Sequence, residues 1–323
     1  MRLTKFQKRL CNALQDGLGI CSRPFDDLAK FLNSDEKVVL QEIEQLKKTG
    51  IIRRISALIN YRALGTTSTL VAAHIPEENL QEVVEAVNAL ENVSHNYLRK
   101  HYYNLWFTLQ AESPAEIEVT LSEFSERFGI DFRSLPVEHV FKLDVRFDTE
   151  SREQLFGDVG DVPKRGNVEL DEGERLILSK LQDEIEVTER PFHFLRGEGL
   201  ETEEVLRIIQ GLIDKGVIRR IAAVVDHRKL GFVANVLFCS EVQKQRVVEV
   251  GERLARFGIV SHCYERKTVK DWPYNLFAMM HARSMGEIQH VVNKFIEAEK
   301  IDSFELLPTA AELKKEPTRH RFY

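Results

Sequence analysis

Val93-Ser-His-Asn-Tyr-Leu-Arg-Lys-His-Tyr-Tyr-Asn-Leu-Trp-Phe-Thr-Leu109 is the stretch of sequence that decides the fold. It predicts two β-strands that meet at a tight turn near His101, because the residues from Leu105 onward are apolar and aromatic. Alternate side chains of an extended strand share a face, so four polar side chains form one row. They are His95, Tyr97, Arg99 and His101. A buried structural strand would carry apolar residues there, so this face is expected to meet water, a ligand or another polar surface.

The second half of the chain repeats this arrangement. Val260-Ser-His-Cys-Tyr-Glu-Arg-Lys267 is followed by the next apolar strand, and it contains a second row. That row consists of His262, Tyr264 and Arg266. Gly50-Ile-Ile-Arg-Arg-Ile-Ser-Ala57 matches Gly216-Val-Ile-Arg-Arg-Ile-Ala-Ala223 at an offset of 216 − 50 = 166, and later matches have a slowly growing offset. The chain therefore contains a duplicated unit of about 150 residues.

Each unit begins with helical signals and continues as alternating strands and helices. In the first unit, three helices followed by a strand at 51–59 predict a winged helix-turn-helix. The strands and helices that follow have the order βαββαβ, which is the ferredoxin-like pattern. We therefore predict an α+β fold built by tandem duplication. Helices cover one face of each four-stranded sheet, and the bare faces are expected to pack on each other, so that both rows look into one cleft.

The expected domain boundaries follow from these patterns. Helix-turn-helix units are expected at 1–62 and 171–228, ferredoxin-like domains at 63–148 and 229–323, and a polar, glycine-containing linker at 149–170.

Composition excludes several classes of protein. The 323 residues are 43% hydrophobic, which suits globular cores, and no apolar run is long enough to predict a membrane span. The four cysteines form no CxxC pair, so neither a disulfide framework nor a metal site is indicated, and a reducing cytoplasm is the expected location. The net charge of −6 is opposite to that of most DNA-binding domains, although it permits a local basic pocket.

The helix-turn-helix followed by βαββαβ resembles the Lrp/AsnC family. Residues 94–109, together with Ser261-His-Cys-Tyr-Glu-Arg266 and Asp271-Trp-Pro-Tyr-Asn-Leu-Phe277, look more specifically like the siroheme decarboxylase family in a fused form, with two related subunits in one chain. The resemblance implies removal of the carboxyl groups from the C12 and C18 acetate side chains of siroheme. The product would be 12,18-didecarboxysiroheme, an intermediate toward heme d1 or an alternative heme route. It also implies a possible homo-oligomer and contact with other heme-biosynthesis enzymes.

The residue chemistry suits that substrate. Siroheme carries eight carboxylates, and arginine binds carboxylates with two parallel hydrogen bonds. A proton must replace the lost CO2, and histidine suits that role near neutral pH. Catalytic roles are therefore expected for His95, His101 and Arg99. Substrate binding is expected for Tyr97, Lys100, His262, Tyr264, Arg266, Lys267, Arg53, Arg54, Arg219 and Arg220. The conjugated macrocycle delocalises the electron pair itself, so no cofactor is implied beyond the iron tetrapyrrole substrate.

Plainer interpretations remain open for many of these residues. The arginine pairs of the wings can be solvated or paired with acidic side chains, and Trp106, Phe107 and Cys263 suit a buried core. A structural or solvated role is expected for His74, His139, His193, His227, His281, His290 and His320.

Two other functions also remain open. The helix-turn-helix suggests a transcription regulator, but residues 35–48 carry four acidic and three basic side chains, and residues 201–215 carry four acidic and two basic ones. Acidic recognition helices would repel phosphate, so no specific DNA binding is expected. The other alternative is a non-catalytic protein that binds an amino acid or a tetrapyrrole.

Overall fold

The computed structural model describes residues 3–144, 146–147, 149, 166–193, 199–316 and 322. The first helix-turn-helix unit comprises α1 (Lys5–Asp16), α2 (Pro24–Leu32) and α3 (Glu36–Lys48). Thr4 and Gln7 form a capping box at the start of α1, and Pro24 begins α2. Gly50 follows α3 with φ +68°, a conformation that favours glycine, and it turns the chain into β1 (Ile52–Ile59).

The second helix-turn-helix unit contributes α6 (Glu172–Leu181), α7 (Thr202–Asp214) and β6 (Ile218–Val225). Residues 194–198, between α6 and α7, lie outside the described residues, as do residues 150–165 of the expected linker. β1 and β6 pair with each other as an antiparallel two-stranded ribbon, so each wing strand finds its partner in the other unit. One apolar core, including Leu14, Ile43 and Ile209, runs through both helix-turn-helix units.

The two ferredoxin-like domains confirm the predicted α+β fold. The first contains β2 (Thr67–Ala73), α4 (Leu80–Ala89), β3 (Val93–Arg99), β4 (Leu105–Ala111), α5 (Pro114–Phe128) and β5 (Phe132–Leu143). The second contains β7 (Ala234–Ser240), α8 (Val247–Ala255), β8 (Val260–Arg266), β9 (Leu276–Ala282), α9 (Met285–Glu299) and β10 (Phe304–Lys315). No helix among the described residues is long and apolar enough to span a membrane.

The two sheets are joined along both edges. β5 and β10 have 12 residues each, so one part of each strand pairs within its own sheet and another part pairs with the other unit. β5 pairs with β2 and β8, and β10 pairs with β7 and β3. The result is a closed barrel of eight strands in the order β10-β3-β4-β2-β5-β8-β9-β7. Closure leaves no unpaired edge strand in this barrel.

Apolar side chains pack on both surfaces of the barrel. Outside it, α4 and α5 cover the first sheet and α8 and α9 cover the second. Inside it, residues of both sheets pack together at one end, as the sequence predicted. This inner cluster includes Ala72, Trp106, Leu135, Leu237, Phe277, Leu307 and, from the loop before β9, Trp272. It closes that end of the barrel and leaves polar side chains nearer the other end.

A close contact between Gly251 and Phe141 fixes the position of α8 on the barrel. A Cβ added at Gly251 would overlap the ring of Phe141, a buried side chain of β5. The equivalent positions of the repeat hold Val84 and Leu313, at offsets of 251 − 84 = 167 and 313 − 141 = 172. A small residue of α8 thus faces a large residue of β5 where the two units meet, while two residues of middle size occupy the equivalent positions on α4 and β10.

Gly251→Ala is expected to destabilise the fold by about 1–3 kcal/mol, because overpacking a filled core forces side chains off their preferred rotamers. The measurement is the urea midpoint of unfolding. Adding Phe141→Leu to Gly251→Ala should restore part of the loss. Gly211→Ala is the matched control, since an added Cβ meets nothing within 4 Å there. It should stabilise α7 by about 0.5–1 kcal/mol. A Gly251→Ala variant as stable as the parent would contradict this account of the packing.

Candidate active site

The two His-Tyr-Arg rows lie on opposite walls of the barrel. The first row is His95, Tyr97 and Arg99 on β3, and the second row is His262, Tyr264 and Arg266 on β8. Three strands separate β3 from β8 in either direction around the barrel. The side chains of both rows therefore point toward a shared interior, and the cleft expected between two sheets is an enclosed barrel interior.

The arginines of the rows lie deepest. Arg99 is 3% exposed and donates from Nη1 to the backbone carbonyl of Leu307 at 2.6 Å. Arg266 is 8% exposed and donates from Nη1 to the carbonyl of Leu135 at 2.8 Å. Leu307 and Leu135 occupy equivalent positions of the repeat, on the two strands that join the sheets. The duplication thus gives both guanidinium groups an equivalent carbonyl acceptor.

Both guanidinium groups are buried cations without a carboxylate. Within the described residues neither Arg99 nor Arg266 forms an ion pair, and the Nε of each is buried without a hydrogen-bond partner. Burial lowers the pKa of each side chain to about 10, so both remain charged at neutral pH. A buried charge is costly unless an opposite charge compensates it, so the barrel interior favours an anion.

The tyrosines lie between the arginines and the histidines. The Arg99 guanidinium carbon is 5.3 Å from the centre of the Tyr97 ring, and that of Arg266 is 4.9 Å from the Tyr264 ring. The His95 and His262 rings stack on the same tyrosines, with centroids 6.1 and 6.2 Å apart. Burial raises the pKa of both phenols to about 12, so both stay protonated.

The histidines of the two rows stand at the end of the interior that faces the ribbon. The Nδ1 of His95 is 2.9 Å from the Ser94 hydroxyl, and the Nδ1 of His262 is 2.9 Å from that of Ser261. Burial lowers the pKa of His95 to about 4 and that of His262 to about 3, and the charge of His95 further lowers the pKa of His262. The two imidazoles are therefore close enough to interact, and both are neutral at pH 7.

His227 and His281 lie at the same end of the barrel interior, although the sequence indicated an ordinary structural role for both. The ring centroids of His227 and His281 are 4.9 Å apart, and the Nδ1 of His281 is 3.2 Å from the Ser261 hydroxyl. Burial lowers the pKa of His227 to about 4 and that of His281 well below its usual value. We call His95, His227, His262 and His281 the histidine group. His281 had a sequence signal, since it alternates with Met279 and Phe277 on the inner face of β9.

The arginines of the ribbon lie beside this end of the barrel. Arg53 forms ion pairs with Asp226 at 3.3 Å and Glu312 at 3.7 Å, and Glu312 pairs across strands with Tyr97. Arg219 donates to the carbonyl of Leu143 at 2.6 Å. Leu143 is the cross-strand partner of His262, so both ribbon strands reach a row.

The second arginine of each ribbon pair has a more local role. Arg54 donates from Nε to the Ser56 hydroxyl at 3.2 Å, although its charge also influences His95. Arg220 forms an ion pair with Asp144 at 2.7 Å and donates to the carbonyl of Gln15 at 3.1 Å. Arg220 thus ties α1 to the barrel, which matches the plainer of the two roles considered for it.

The structure does not bring three of the expected site residues to the rows. β3 ends at Arg99, because the His101 N–H donates to the Arg99 carbonyl at 3.0 Å and turns the chain. The prediction that His101 continues the row was wrong. Its Nδ1 accepts the Tyr103 N–H at 3.0 Å, and its ring packs edge-on against Trp272 at 5.5 Å. Lys100 and Lys267 are exposed, directly after the last residues of β3 and β8.

The residues expected to be structural are placed as follows. Trp106, Phe107 and Cys263 are buried, as predicted. The exposed His74 stacks on Tyr102. His193 and His290 are also exposed, His139 packs against Phe141, and His320 lies outside the described residues.

Several charged residues near the rows escaped sequence reasoning. Arg62 and Arg228 recur at an offset of 228 − 62 = 166, and they influence the pKa of Tyr264 and Tyr97 respectively. Their recurrence in the duplicated motif was the available signal. Lys315 is the cross-strand partner of His95 and forms an ion pair with Glu312 at 3.3 Å. Its position depends on how β10 crosses between units, which no local pattern predicts.

Comparisons with known proteins agree with this architecture. Residues 63–142 and 229–314 match the AsnC-like ligand binding domain family, and residues 7–53 match the siroheme decarboxylase NirDL-like HTH domain family. The siroheme decarboxylase of Hydrogenobacter thermophilus is 35% identical over 95% of this chain and 92% of its own length. The siroheme decarboxylase NirDL subunit of Paracoccus denitrificans is 30% identical over 90% of this chain and 89% of its own length.

A solved structure extends the similarity to three dimensions. The crystal structure of the siroheme decarboxylase NirDL superposes on this chain with a TM-score of 0.75. The two chains are 32% identical, and the match covers 98% of this chain and 94% of the other. The crystal structure of NirDL in complex with an iron-uroporphyrin III analogue superposes with a TM-score of 0.74. Because both the sequence and the overall fold agree over nearly the whole chain, the chain belongs to the siroheme decarboxylase family, a family of carboxy-lyases.

Proposed function

We propose that this protein removes the carboxyl groups of the C12 and C18 acetate side chains of siroheme, giving 12,18-didecarboxysiroheme for heme d1 synthesis. The observation that carries the proposal is the pair of buried, uncompensated guanidinium groups, Arg99 and Arg266, beneath two tyrosines and the histidine group. Buried cations beneath aromatic rings suit an aromatic polyanion. The family relationship supports siroheme as that polyanion.

Binding relies on cations arranged at two depths. Arg99 and Arg266 supply positive potential inside the barrel, and Arg99 holds the reacting carboxylate. Arg53, Arg54 and Arg219 on the ribbon meet carboxylates at the periphery of the macrocycle, where siroheme carries its side chains. Each ion pair that a ribbon arginine now makes, such as Arg53 with Asp226, is exchanged for one with the substrate. Arginine suits this exchange because its planar fork matches a carboxylate.

The chemical step requires a bond cleavage and a proton. The bond between the acetate methylene and its carboxylate breaks, CO2 leaves, and the electron pair stays on the methylene carbon, where the macrocycle delocalises it. A proton then converts the methylene to a methyl group. We assign the proton to the Nε2 of His95, because its Nδ1 bonds Ser94 and its ring lies in the interior. His101 keeps a possible catalytic role, but its contacts with Tyr103 and Trp272 favour His95.

Substrate binding prepares His95 for this role. In the free protein burial keeps the imidazole neutral, with a pKa of about 4. A neutral imidazole is a poor acid, since losing its one N–H proton would leave an anion. Carboxylates of bound siroheme favour the charged form and raise this pKa, so the complex takes up a proton that the reaction then uses. Each turnover of one acetate therefore consumes one proton and releases one CO2.

A mass measurement tests the proposal. Anaerobic incubation of the protein with siroheme should give two successive losses of CO2, whereas a carrier would leave the mass unchanged. His95→Ala should still bind siroheme but lose 10²-fold or more in rate, the scale on which a general acid contributes. Arg99→Ala should weaken binding as well as turnover.

Two further variants make this test specific. His74→Ala is the control, because His74 is exposed and stacks on Tyr102 instead of on a residue of the rows, and it should turn over at the parent rate. His101→Ala reports on the hairpin end of the barrel and should change the rate less than His95→Ala. Wild-type rates in both His95→Ala and His101→Ala would refute the catalytic assignment and shift attention to His262.

A second prediction concerns pH. If bound carboxylates raise the pKa of His95 from about 4, the complex holds more protons than the separated partners. By linkage, affinity then increases as the pH falls from about 8 to 6, a range in which the carboxylates of free siroheme stay ionised. Calorimetric titrations in buffers of different ionisation enthalpy should reveal proton uptake. The esterified macrocycle is the control: it should bind much more weakly and without proton uptake. Proton release on binding of the free acid would exclude this coupling.

A third prediction concerns DNA, the natural partner of a helix-turn-helix. Residues 35–48 and 201–215, which include α3 and α7, are acidic overall, and both helix-turn-helix units share one apolar core that supports the ribbon. No specific duplex binding is expected at physiological salt. Footprinting on the protein's own promoter is the measurement, and a dissociation constant below about 10⁻⁸ M, the range of specific regulators, would overturn the expectation.

A further inference from the structure

A chain of hydrogen bonds crosses the barrel and links the two rows. Its members are Arg99, Thr309, Asn235, His281, Ser261 and His262. The Arg99 Nη1 donates to the Thr309 hydroxyl at 3.1 Å, and that hydroxyl donates to Asn235 Oδ1 at 2.9 Å. The Asn235 Nδ2 is 3.2 Å from the His281 Nε2, whose other nitrogen is 3.2 Å from the Ser261 hydroxyl. Ser261 Oγ is in turn 2.9 Å from the His262 Nδ1.

The donors and acceptors of this chain follow one direction. A guanidinium can only donate, so Thr309 accepts from Arg99 and gives its own hydrogen to Asn235 Oδ1. The Asn235 amide therefore presents its NH2 to His281, whose Nε2 must accept. A neutral imidazole that accepts at Nε2 carries its hydrogen on Nδ1. Burial keeps His281 neutral by lowering its pKa, in agreement with this arrangement.

Ser261 connects the tautomer of His281 to the tautomer of His262. The His281 Nδ1–H donates to Ser261 Oγ, and the Ser261 hydroxyl donates its single hydrogen to the Met279 carbonyl at 3.1 Å. No hydrogen of Ser261 is left for His262, so the His262 Nδ1 must donate to the same oxygen. His262 then carries its hydrogen on Nδ1, and its Nε2 presents a lone pair to the interior.

The first unit is built differently at the same positions. Asn235, His281 and Thr309 correspond to Ser68, Gln110 and Val137, at offsets of 167, 171 and 172 that follow from the strand bounds. Ser94 bonds His95 as Ser261 bonds His262, but the position opposite Ser94 holds an amide in place of an imidazole. The chain therefore distinguishes two histidines that the duplication would otherwise make equivalent.

We propose that His281 is a positioning residue that acts through Ser261 to hold His262 in the Nδ1–H tautomer, so that the Nε2 of His262 faces the substrate without a proton while His95 supplies the proton. The catalytic part of this inference rests on the proposed function, whereas the tautomer itself does not. In many proteins the hydrogen bond at one ring nitrogen of a functional histidine determines which nitrogen carries the proton, and His281 would act on His262 in this way.

The surroundings of both rings are compatible with fixed tautomers. Besides its partners in the chain, His281 meets the ring of His227 at 4.9 Å and that of Phe147 at 5.4 Å. The charged or titratable groups that influence His281 are His227, His262, Lys315 and Arg99. Those that influence His262 are His95, Arg219, Asp144 and Lys142. Burial is the main cause of the lowered pKa of both imidazoles, and the cations, which outnumber the carboxylate Asp144, act in the same direction, so both rings stay neutral at pH 7.

Nitrogen NMR of the full-length protein, labelled with 15N-histidine and free of ligand, tests the proposal directly. The His262 signals are assigned by their loss in His262→Gln. At pH 7 the wild-type protein should show His262 with its hydrogen on Nδ1. His281→Leu removes one donor to Ser261 and should move His262 toward the Nε2–H tautomer. His281→Asn should keep the wild-type tautomer, because its amide nitrogen can occupy the place of the imidazole Nδ1.

Thr309→Val provides a second variant should His281→Leu fold poorly. Valine occupies the equivalent position of the first unit, so it is compatible with the strand. The change removes the hydroxyl that orients Asn235, and it should shift the His262 tautomer in the same direction. An Nε2–H tautomer in the wild-type protein, or an unchanged tautomer in both His281→Leu and Thr309→Val, would overturn the proposal.

Turnover of siroheme supplies the functional readout. His281→Leu should lower kcat about tenfold or more with little change in KM, the scale of other outer hydrogen-bond partners. His281→Asn should recover most of that loss, and His290→Leu, on the exposed face of α9, should match the wild type. If the tautomer responds as expected but the wild-type protein does not decarboxylate siroheme, the proposed function fails and the positioning role stands. A tautomer shift with unchanged kcat would instead reject the catalytic division between His95 and His262.

Discussion

Pairing of β5 with β8 and of β10 with β3 is the interaction on which the rest of the structure depends. Each bridging strand continues beyond its own sheet and supplies hydrogen bonds to the other unit. The closure places the two rows on opposite walls and surrounds them with backbone whose polar groups are already satisfied. It also provides the carbonyls of Leu307 and Leu135 that hold Arg99 and Arg266. Neither unit alone would enclose the interior, so fusion and closure together create the site.

Electrostatics explain why such an interior should exist. Burying a guanidinium is costly, and backbone carbonyls compensate the charge only in part. Apolar and aromatic residues seal the barrel below Arg99 and Arg266, so the residual positive potential is directed toward the histidine group. The ribbon adds further cations above it. The helix-turn-helix units thus support the ribbon, while the net negative charge of residues 35–48 and 201–215 disfavours phosphate.

Divergence of the two units matters as much as their duplication. The arginines, tyrosines and first histidines are kept in register, whereas the residues around them differ. Lys315 and Glu312 stand beside His95, and the chain through His281 and Asn235 stands beside His262. His95 and His262, which occupy equivalent positions on β3 and β8, therefore have different hydrogen-bonding and charged neighbours. The two rows are related by pseudo-symmetry, but their neighbouring residues differ. This arrangement suits a reaction in which both rows bind the substrate and only one histidine supplies a proton.

The sequence by itself determined the order of elements, the α+β fold, the duplication and the composition of both rows, because each depends on local periodicity or on repeated motifs. The Gly50 and Gly216 repeats and the alternation on β3 and β8 were sufficient for that. Tertiary structure decided where His101 lies outside the row, because its ring packs against Trp272 of the other unit. It also decided that His281, Asn235 and Lys315 belong to the site, since strand register across the two units sets their partners. Such contacts join residues far apart in the chain, and no short pattern encodes them.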